Sequence, residues 1–304
     1  MNLKLIFNPA AGRGRAQRQI EAVESLLRRR GANVETYATR DAADLTRVAA
    51  ESSRAAYDRV VVCGGDGSVH FAVREFDTTR AVLGVVPLGS GDDFARVLGI
   101  PRDVEGACDA ILAGTIREVD VATANGIRYV GVAGLGFDSE VAAFANRVKL
   151  IRGSAVYLYA ILRVLPRFTP HVVRIRTNGK RRTETVMFAV VGNSRQYGGG
   201  IKIVPDAQID DGLLDYCIVH RTTRFQLLKT LPLAYTGAHV KRPYVETGRS
   251  REVDFDSDSS LDVYADGERV TQTPVTFAVE AKLKVAVPRP RSMTTGIDDG
   301  APSR

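Results

Sequence analysis

The sequence predicts an α/β domain on a parallel sheet, followed by a mainly β, sandwich-like domain. Three observations carry this. Short apolar runs alternate with helix-period segments over residues 1–119. From residue 120 the texture changes to β-rich runs separated by Asn-Gly and Asp-Gly pairs. Three apolar runs of the first half end in loops of small residues. Strands alternating with helices argue for parallel strands covered on both faces.

LKLIFN (3–8) is short and apolar, like a buried strand. Ile20, Val23, Leu26 and Leu27 recur at helical spacing over residues 16–30, and Gly31 supplies a stop. NVETYAT (33–39) is the second strand, with a helix over 42–54. RVVVC (59–63) is the third, with a helical region over 69–76. VLGVVPLG (82–89) is the fourth, with a helix over 104–113. VDVATANGIRYVGVAGLGF (119–137) reads as a hairpin across Asn125-Gly126, a type I′ turn signal. One helical zone spans 140–167. A second hairpin, 172–193, turns at Asn178-Gly179. Strands are expected at 214–221, 253–258, 261–270 and 275–288. The domains are therefore placed at 1–119 and 120–288, and the tail 289–304, without apolar periodicity, is expected to be disordered.

With 304 residues, 44% hydrophobic and 25% charged, the chain can bury a core without staples. Its three cysteines, Cys63, Cys108 and Cys217, lie far apart, which argues against a disulfide framework or a thiolate metal site and suits a reducing cytoplasm. The N-terminus lacks the apolar core of a signal peptide, and no uncharged run approaches the roughly 18 apolar residues of a membrane span. The net charge of +7, mostly from Arg, is either scattered surface charge or attraction to an anionic partner. No nucleic-acid motif accompanies it, so nucleic acid ranks last as a partner.

Apolar strand, glycine loop, helix start is the physical recipe for a phosphate cradle. Glycine lets the backbone approach closely, and free N–H groups at the loop and helix start meet the anion. VVVCGGDGSVH (60–70) has this form, yet it is neither a Walker A loop nor a GxGxxG fingerprint. Its bland alternative is a tight turn with Asp66 as helix cap. NPAAGRG (8–14) and PLGSGDDFAR (87–96) also follow strands, so all three loops would gather at one sheet edge, where such sheets bind ligands. Asp66, Asp92 and Asp93 would meet there, and carboxylates beside a polyphosphate make sense with a divalent cation, most simply Mg²⁺.

Together these loops resemble the glycine-rich signatures of the diacylglycerol kinase catalytic-domain family, in its bacterial lipid-kinase branch related to sphingosine kinases. The resemblance continues through GVAGLGFDSEV (131–141), GNSRQYGGGIKIVPDAQIDDGLLD (192–215) and ADGE (265–268), and so covers nearly the whole chain. It implies an NAD kinase/diacylglycerol kinase-like fold and ATP-dependent phosphorylation of a lipid hydroxyl, with diacylglycerol the default acceptor. By motif, ATP would contact Asn8, Pro9, Ala10, Ala11, Gly12, Thr39, the run Gly64, Gly65, Asp66, Gly67, Ser68, Val69 and His70, and Ser90. Glu268 would be the general base, and Asp66 would hold Mg²⁺ or its water shell. A structural Mg²⁺ would use the Asp211 carboxylate with the Gln208 and Leu213 carbonyls. The enzyme would be cytoplasmic and would meet its lipid peripherally, at the inner membrane face. A homodimer is left open.

Each motif has a bland counterpart. Asp266-Gly267 is a common hairpin turn, which can itself present Glu268 to the glycine loops. Asp210-Asp211-Gly212 can be a plain loop. Asp254, Asp256, Asp258 and Asp262 read as a solvated strand face rather than a metal patch. Ser68 and His70 lack the nucleophile-elbow context of a hydrolase. SAVYLYAILRVLPRF (154–168), with Arg152, Arg163 and Arg167 around it, reads first as a helix on the β domain or at an acyl cleft, and second as a bilayer-surface helix. Two positions depart from the family pattern: His70 and Asp92 each stand where it has Asn. A carboxylate at Asp92 adds charge near the triphosphate and offers no amide donor. That keeps a nucleotide- or lipid-binding protein with a degenerate site as an alternative, beside an NAD kinase.

Overall fold

The computed structural model describes residues 1–148 and 155–290. The expectation for the tail beyond residue 290, and Arg152, lie outside the described residues.

In chain order the first half holds β1 (Asn2–Phe7), α1 (Arg15–Arg29), β2 (Asn33–Ala38), α2 (Ala42–Arg54), β3 (Arg59–Gly64), α3 (Asp66–Val73), β4 (Val82–Pro87), α4 (Asp93–Val97), α5 (Val104–Ala113) and β5 (Thr115–Ala124). There follow β6 (Ile127–Tyr129), β7 (Val132–Gly136), α6 (Phe137–Arg147), α7 (Ala155–Val164), β8 (His171–Thr177), β9 (Lys180–Gly192) and β10 (Leu214–His220). The chain continues with α8 (Arg224–Ala234), β11 (Val245–Ser250), β12 (Glu252–Asp256), β13 (Asp262–Ala265), β14 (Glu268–Gln272) and β15 (Val275–Val287).

The first four strands form a parallel sheet in the order β4-β3-β1-β2. β3 and β4 are buried at every position, which explains their near-continuous β-branched sequence. The α1 residues Ile20, Val23 and Leu27 bury one face against this sheet. The later strands pair antiparallel, and the two halves share one continuous sheet. β15 makes the join: it runs antiparallel to β5 and β12 and parallel to β4 through Lys284↔Val82 and Val285↔Leu83.

The hairpin signals fold by local backbone chemistry. Asn125-Gly126 and Asn178-Gly179 take φ of 51°, 78°, 49° and 76°, the left-handed pair a type I′ turn requires. The turn at 125–126 closes β5 onto the short β6, while the rest of the expected hairpin, β7, pairs with β9 and β13 instead. The helical zone expected at 140–167 forms two helices among the described residues, α6 and α7. The acidic alternation is a solvated strand face, with Arg174 bridging Asp256 and Asp258 and Arg176 bridging Glu252 and Asp254.

Candidate functional site

The three glycine loops follow the carboxyl ends of β1, β3 and β4 and touch at backbone level. A Cβ on Gly12, which sits at φ 56°, would stand 2.0 Å from the Leu88 carbonyl oxygen. One on Gly89 would stand 2.5 Å from Gly65 Cα. Only glycine allows this approach. α1 and α3 start after Gly14 and Gly65 with no side-chain cap. The first amides of α1 are taken by the loop itself, Arg15 N donating to Gly12 O and Ala16 N to Ala11 O, whereas at α3 Ser68 N donates to Gly65 O and the Asp66 and Gly67 N–H groups have no backbone acceptor among the described residues, open to anionic oxygens.

Carboxylates gather at these loops. Asp66 Oδ1 accepts from Phe94 N at 3.2 Å, and burial, reinforced by the Asp93 charge, pushes its pKa up to about 6. Asp93 accepts from Gln196 Nε2 at 3.0 Å and Gly199 N at 2.6 Å, tying the third loop to the second half of the chain. Asp92 takes φ 53°, accepts from Gly89 N at 2.8 Å and pairs with Arg102 Nη2 at 2.8 Å. The extra negative charge this residue brings is thus met by a guanidinium, ten residues on in sequence.

Asp266 and Gly267 take φ of 52° and 86° and join β13 to β14 as a tight turn. The turn sets Glu268 over the second glycine loop: a Cβ on Gly67 would lie 3.5 Å from Glu268 Oε1. Burial raises the Glu268 pKa, partly offset by His70 and Arg74. A carboxylate so placed is suited to accept a proton beside the glycine loop.

A cleft of about 1630 Å³ runs between the loops and the second half. Asn8, Ala11, Gly12, Gly65, Asp66, Gly67, Ser68, Ser90 and Glu268 line it. Thr39, Gly64, Val69 and His70 are buried outside this lining, with Thr39 Oγ1 donating to Phe7 O at 3.2 Å. Pro9 and Ala10 lie outside it, Ala10 exposed. The other limb of the cleft is apolar, with Val141, Ile161, Phe188, Ile201 and Leu227 on its walls. Three polar groups there went unread in the sequence. Tyr197 OH donates to Asp138 Oδ1 at 2.5 Å, and burial pushes the Asp138 pKa up to about 6. Tyr157 lines the cleft too, and its pKa is raised by burial and then by the nearby carboxylates, Asp138 foremost.

Gln208, Asp211 and Leu213 are not among the residues lining the cleft. Their loop is pinned to β5, with Gly212 N donating to Asp120 Oδ2 at 2.8 Å and Asp120 N to Ile209 O at 2.7 Å. The Asp211 carboxylate accepts from Leu213 N at 3.0 Å and from Arg249. The Gln208 and Leu213 carbonyls accept no hydrogen bond among the described residues. One carboxylate with two free carbonyls suits a hard cation, and the Arg249 guanidinium now meets that carboxylate. Among the described residues, no cluster of three or more acidic, His or Cys side chains forms a metal site of its own.

A parallel α/β half with apposed glycine loops is thus closed by a β-sandwich-like half. Residues 2–124 match the family model for the diacylglycerol kinase catalytic domain, and residues 131–287 match that for the YegS C-terminal NAD kinase beta sandwich-like domain. The chain belongs to the diacylglycerol kinase family. It is 35% identical over 295 residues to a diacylglycerol kinase of Mycobacterium tuberculosis, covering 93% of this chain and 94% of that one. It is 28% identical over 300 residues to one of Bacillus subtilis, covering 97% and 99%. In fold it is similar to the solved structure of a diacylglycerol kinase from Bacillus anthracis, with a TM-score of 0.71 at 20% identity, over 94% and 96% of the two chains.

Proposed function

We propose that the protein transfers the γ-phosphate of ATP to a lipid hydroxyl, with diacylglycerol the default acceptor. The observation that carries this reading is the Glu268 carboxylate beside Gly67, in a cleft that is phosphate-binding in character at one end and apolar at the other. The half at 1–119 would bind nucleotide, and the half at 120–288 would hold the lipid and supply the base. Loop amides around Gly12 and Gly65–Ser68 would hold phosphate oxygens. Asp66 would hold Mg²⁺ or its waters. Bound there, the ion would neutralise charge on the β- and γ-phosphates.

The acceptor hydroxyl would give its proton to Glu268. Its oxygen would form the new bond to the γ-phosphorus as the bond from that phosphorus to the β,γ-bridging oxygen breaks, and ADP would leave with the bridging oxygen. The structural Mg²⁺ would sit at Asp211, Gln208 and Leu213. The acyl chains would occupy the apolar limb while the protein stays peripheral to the cytoplasmic membrane face. Among the described residues no helix is long and apolar enough to cross a membrane. The Asp92–Arg102 pair weakens the case for a degenerate site, because the charge that raised it is compensated.

The test is transfer of labelled γ-phosphate from ATP to a lipid panel in mixed micelles with Mg²⁺. Phosphorylated lipid is expected from the wild type, with a loss of about 100-fold or more in Glu268→Gln. Equal turnover by the two proteins would refute Glu268 as the base, and turnover of NAD in place of lipid would refute the acceptor.

A further inference from the structure

We propose that His70 is a positioning residue, whose hydrogen bond to Asp266 locks the turn carrying Glu268 onto the glycine loop. The proposal rests on the reading of Glu268 as the base.

His70 lies in α3, which begins in the second glycine loop, and it is 0% exposed. Its Nδ1 is 3.1 Å from Asp266 Oδ2, so the ring N–H donates to that carboxylate. Asp266 is otherwise held by β7 and the residues just before it. Its Oδ1 accepts from Gly131 N at 2.8 Å, its Oδ2 from Val130 N at 3.2 Å, and its own N–H donates to Val132 O at 3.0 Å. The fit at Gly131 is close: a Cβ there would come within 2.4 Å of Asp266 Oδ1. Asn146 of α6 holds the next residue, donating from Nδ2 to Gly267 O at 2.9 Å.

These other restraints come from the second half of the chain. Among the described residues, His70 supplies the one hydrogen bond from this turn to the glycine-loop helix. Removing it leaves the turn held by its own half alone, through an Asp266 carboxylate that has lost one of its three donors and grips Val130 and Gly131 less firmly, so that Glu268 is free to drift from the phosphate end. Proton transfer depends on heavy-atom separations within hydrogen-bond reach, and a displacement of about 1 Å can cost roughly 100-fold.

The chemistry of the ring sharpens the proposal. Its other nitrogen, Nε2, is buried with no hydrogen-bond partner among the described residues. Only the Nδ1 position is therefore used. An asparagine amide nitrogen falls near the place of an imidazole Nδ1, whereas a glutamine amide nitrogen falls near Nε2. His70 thus does the work that the Asn of the family pattern would do, and Asn and His are interchangeable here where Gln is not.

The experiment compares His70→Asn, His70→Gln and His70→Ala with Glu268→Gln in the full chain. Turnover is expressed per ATP-binding site, so that loss of folded protein is not counted. His70→Gln and His70→Ala are expected to lose about tenfold or more in kcat, with KM for ATP within about twofold. His70→Asn should stay within about threefold of wild type. Hydrogen exchange at the Val130 and Gly131 amides should quicken in His70→Gln and stay slow in His70→Asn. Equal turnover and exchange for Asn and Gln, or a loss confined to KM, would overturn the proposal. Glu268→Gln separates the failures. If it is inactive while His70→Gln is fully active, the strut fails and the base stands. If it is fully active, the base reading fails and the strut has nothing to position.

Discussion

Glu268 is a carboxylate whose protonated form is favoured by burial. As the proposed general base it would work deprotonated, so activity should be lost as pH falls through its folded-state pKa. Because that pKa is raised, the acid limb of kcat should lie above the ~4.3 of an unperturbed glutamate. Burial and the Asp93 charge push Asp66 up to about 6; as the proposed holder of Mg²⁺ it would contribute to the same limb, with a share that should recede as Mg²⁺ is raised, since a bound cation favours the carboxylate. A pH–rate profile at saturating Mg²⁺ checks this, and a limb centred on the ordinary glutamate value would contradict the burial argument. Asp92 makes the complementary point. At 3% exposure its charge would be costly alone, and Arg102 with Gly89 N meets it. The sequence shows the carboxylate at a place of concern. It does not show which of 42 Lys and Arg residues answers it.

The elements differ in how plainly the sequence announces them. β3 and β4 are β-branched runs buried on both faces, and α1 carries a regular apolar stripe; local pattern suffices for all three. α8 does not announce itself, because Pro232 lies inside it and its apolar residues face two ways. Leu227 is buried while Phe225 and Leu228 are exposed. Its capping box, Thr223 with Gln226, was the available signal. The same exposure gives α8 and α7 a prediction. Leu162 is 51% and Phe225 64% exposed, and the exposed cations Arg163 and Lys229 lie one and four residues further on. Apolar tips beside cations suit an anionic bilayer surface next to the apolar limb of the cleft. The double variant Leu162→Asp/Phe225→Asp should bind anionic vesicles at least about tenfold more weakly, while turnover of a short-chain dispersed lipid changes less than about twofold. Unchanged vesicle binding in a flotation assay would remove these helices from the membrane contact.

At the scale of the whole molecule, the catalytic-domain match ends near residue 124, yet β4 finds a neighbour at residues 284–285. A fragment of residues 1–124 would leave the β4 edge unpaired at Val82 and Leu83. It should bind a hydrophobic dye and show non-cooperative melting, whereas the full chain should melt cooperatively. A cooperative, dye-silent fragment would show that β15 is dispensable to the first half. The sequence by itself determined what depends on near neighbours: the alternating elements, the left-handed Asn-Gly and Asp-Gly turns, the glycine loops and the family they resemble. These follow from side-chain period and from backbone freedom, which act over a few residues. Only the tertiary structure decided that β15 closes onto β4, that Arg102 answers Asp92, and that His70 reaches Asp266 across 196 positions of sequence. Those contacts are fixed by sheet order and burial, which pair whichever groups the fold brings together, and no local pattern encodes them.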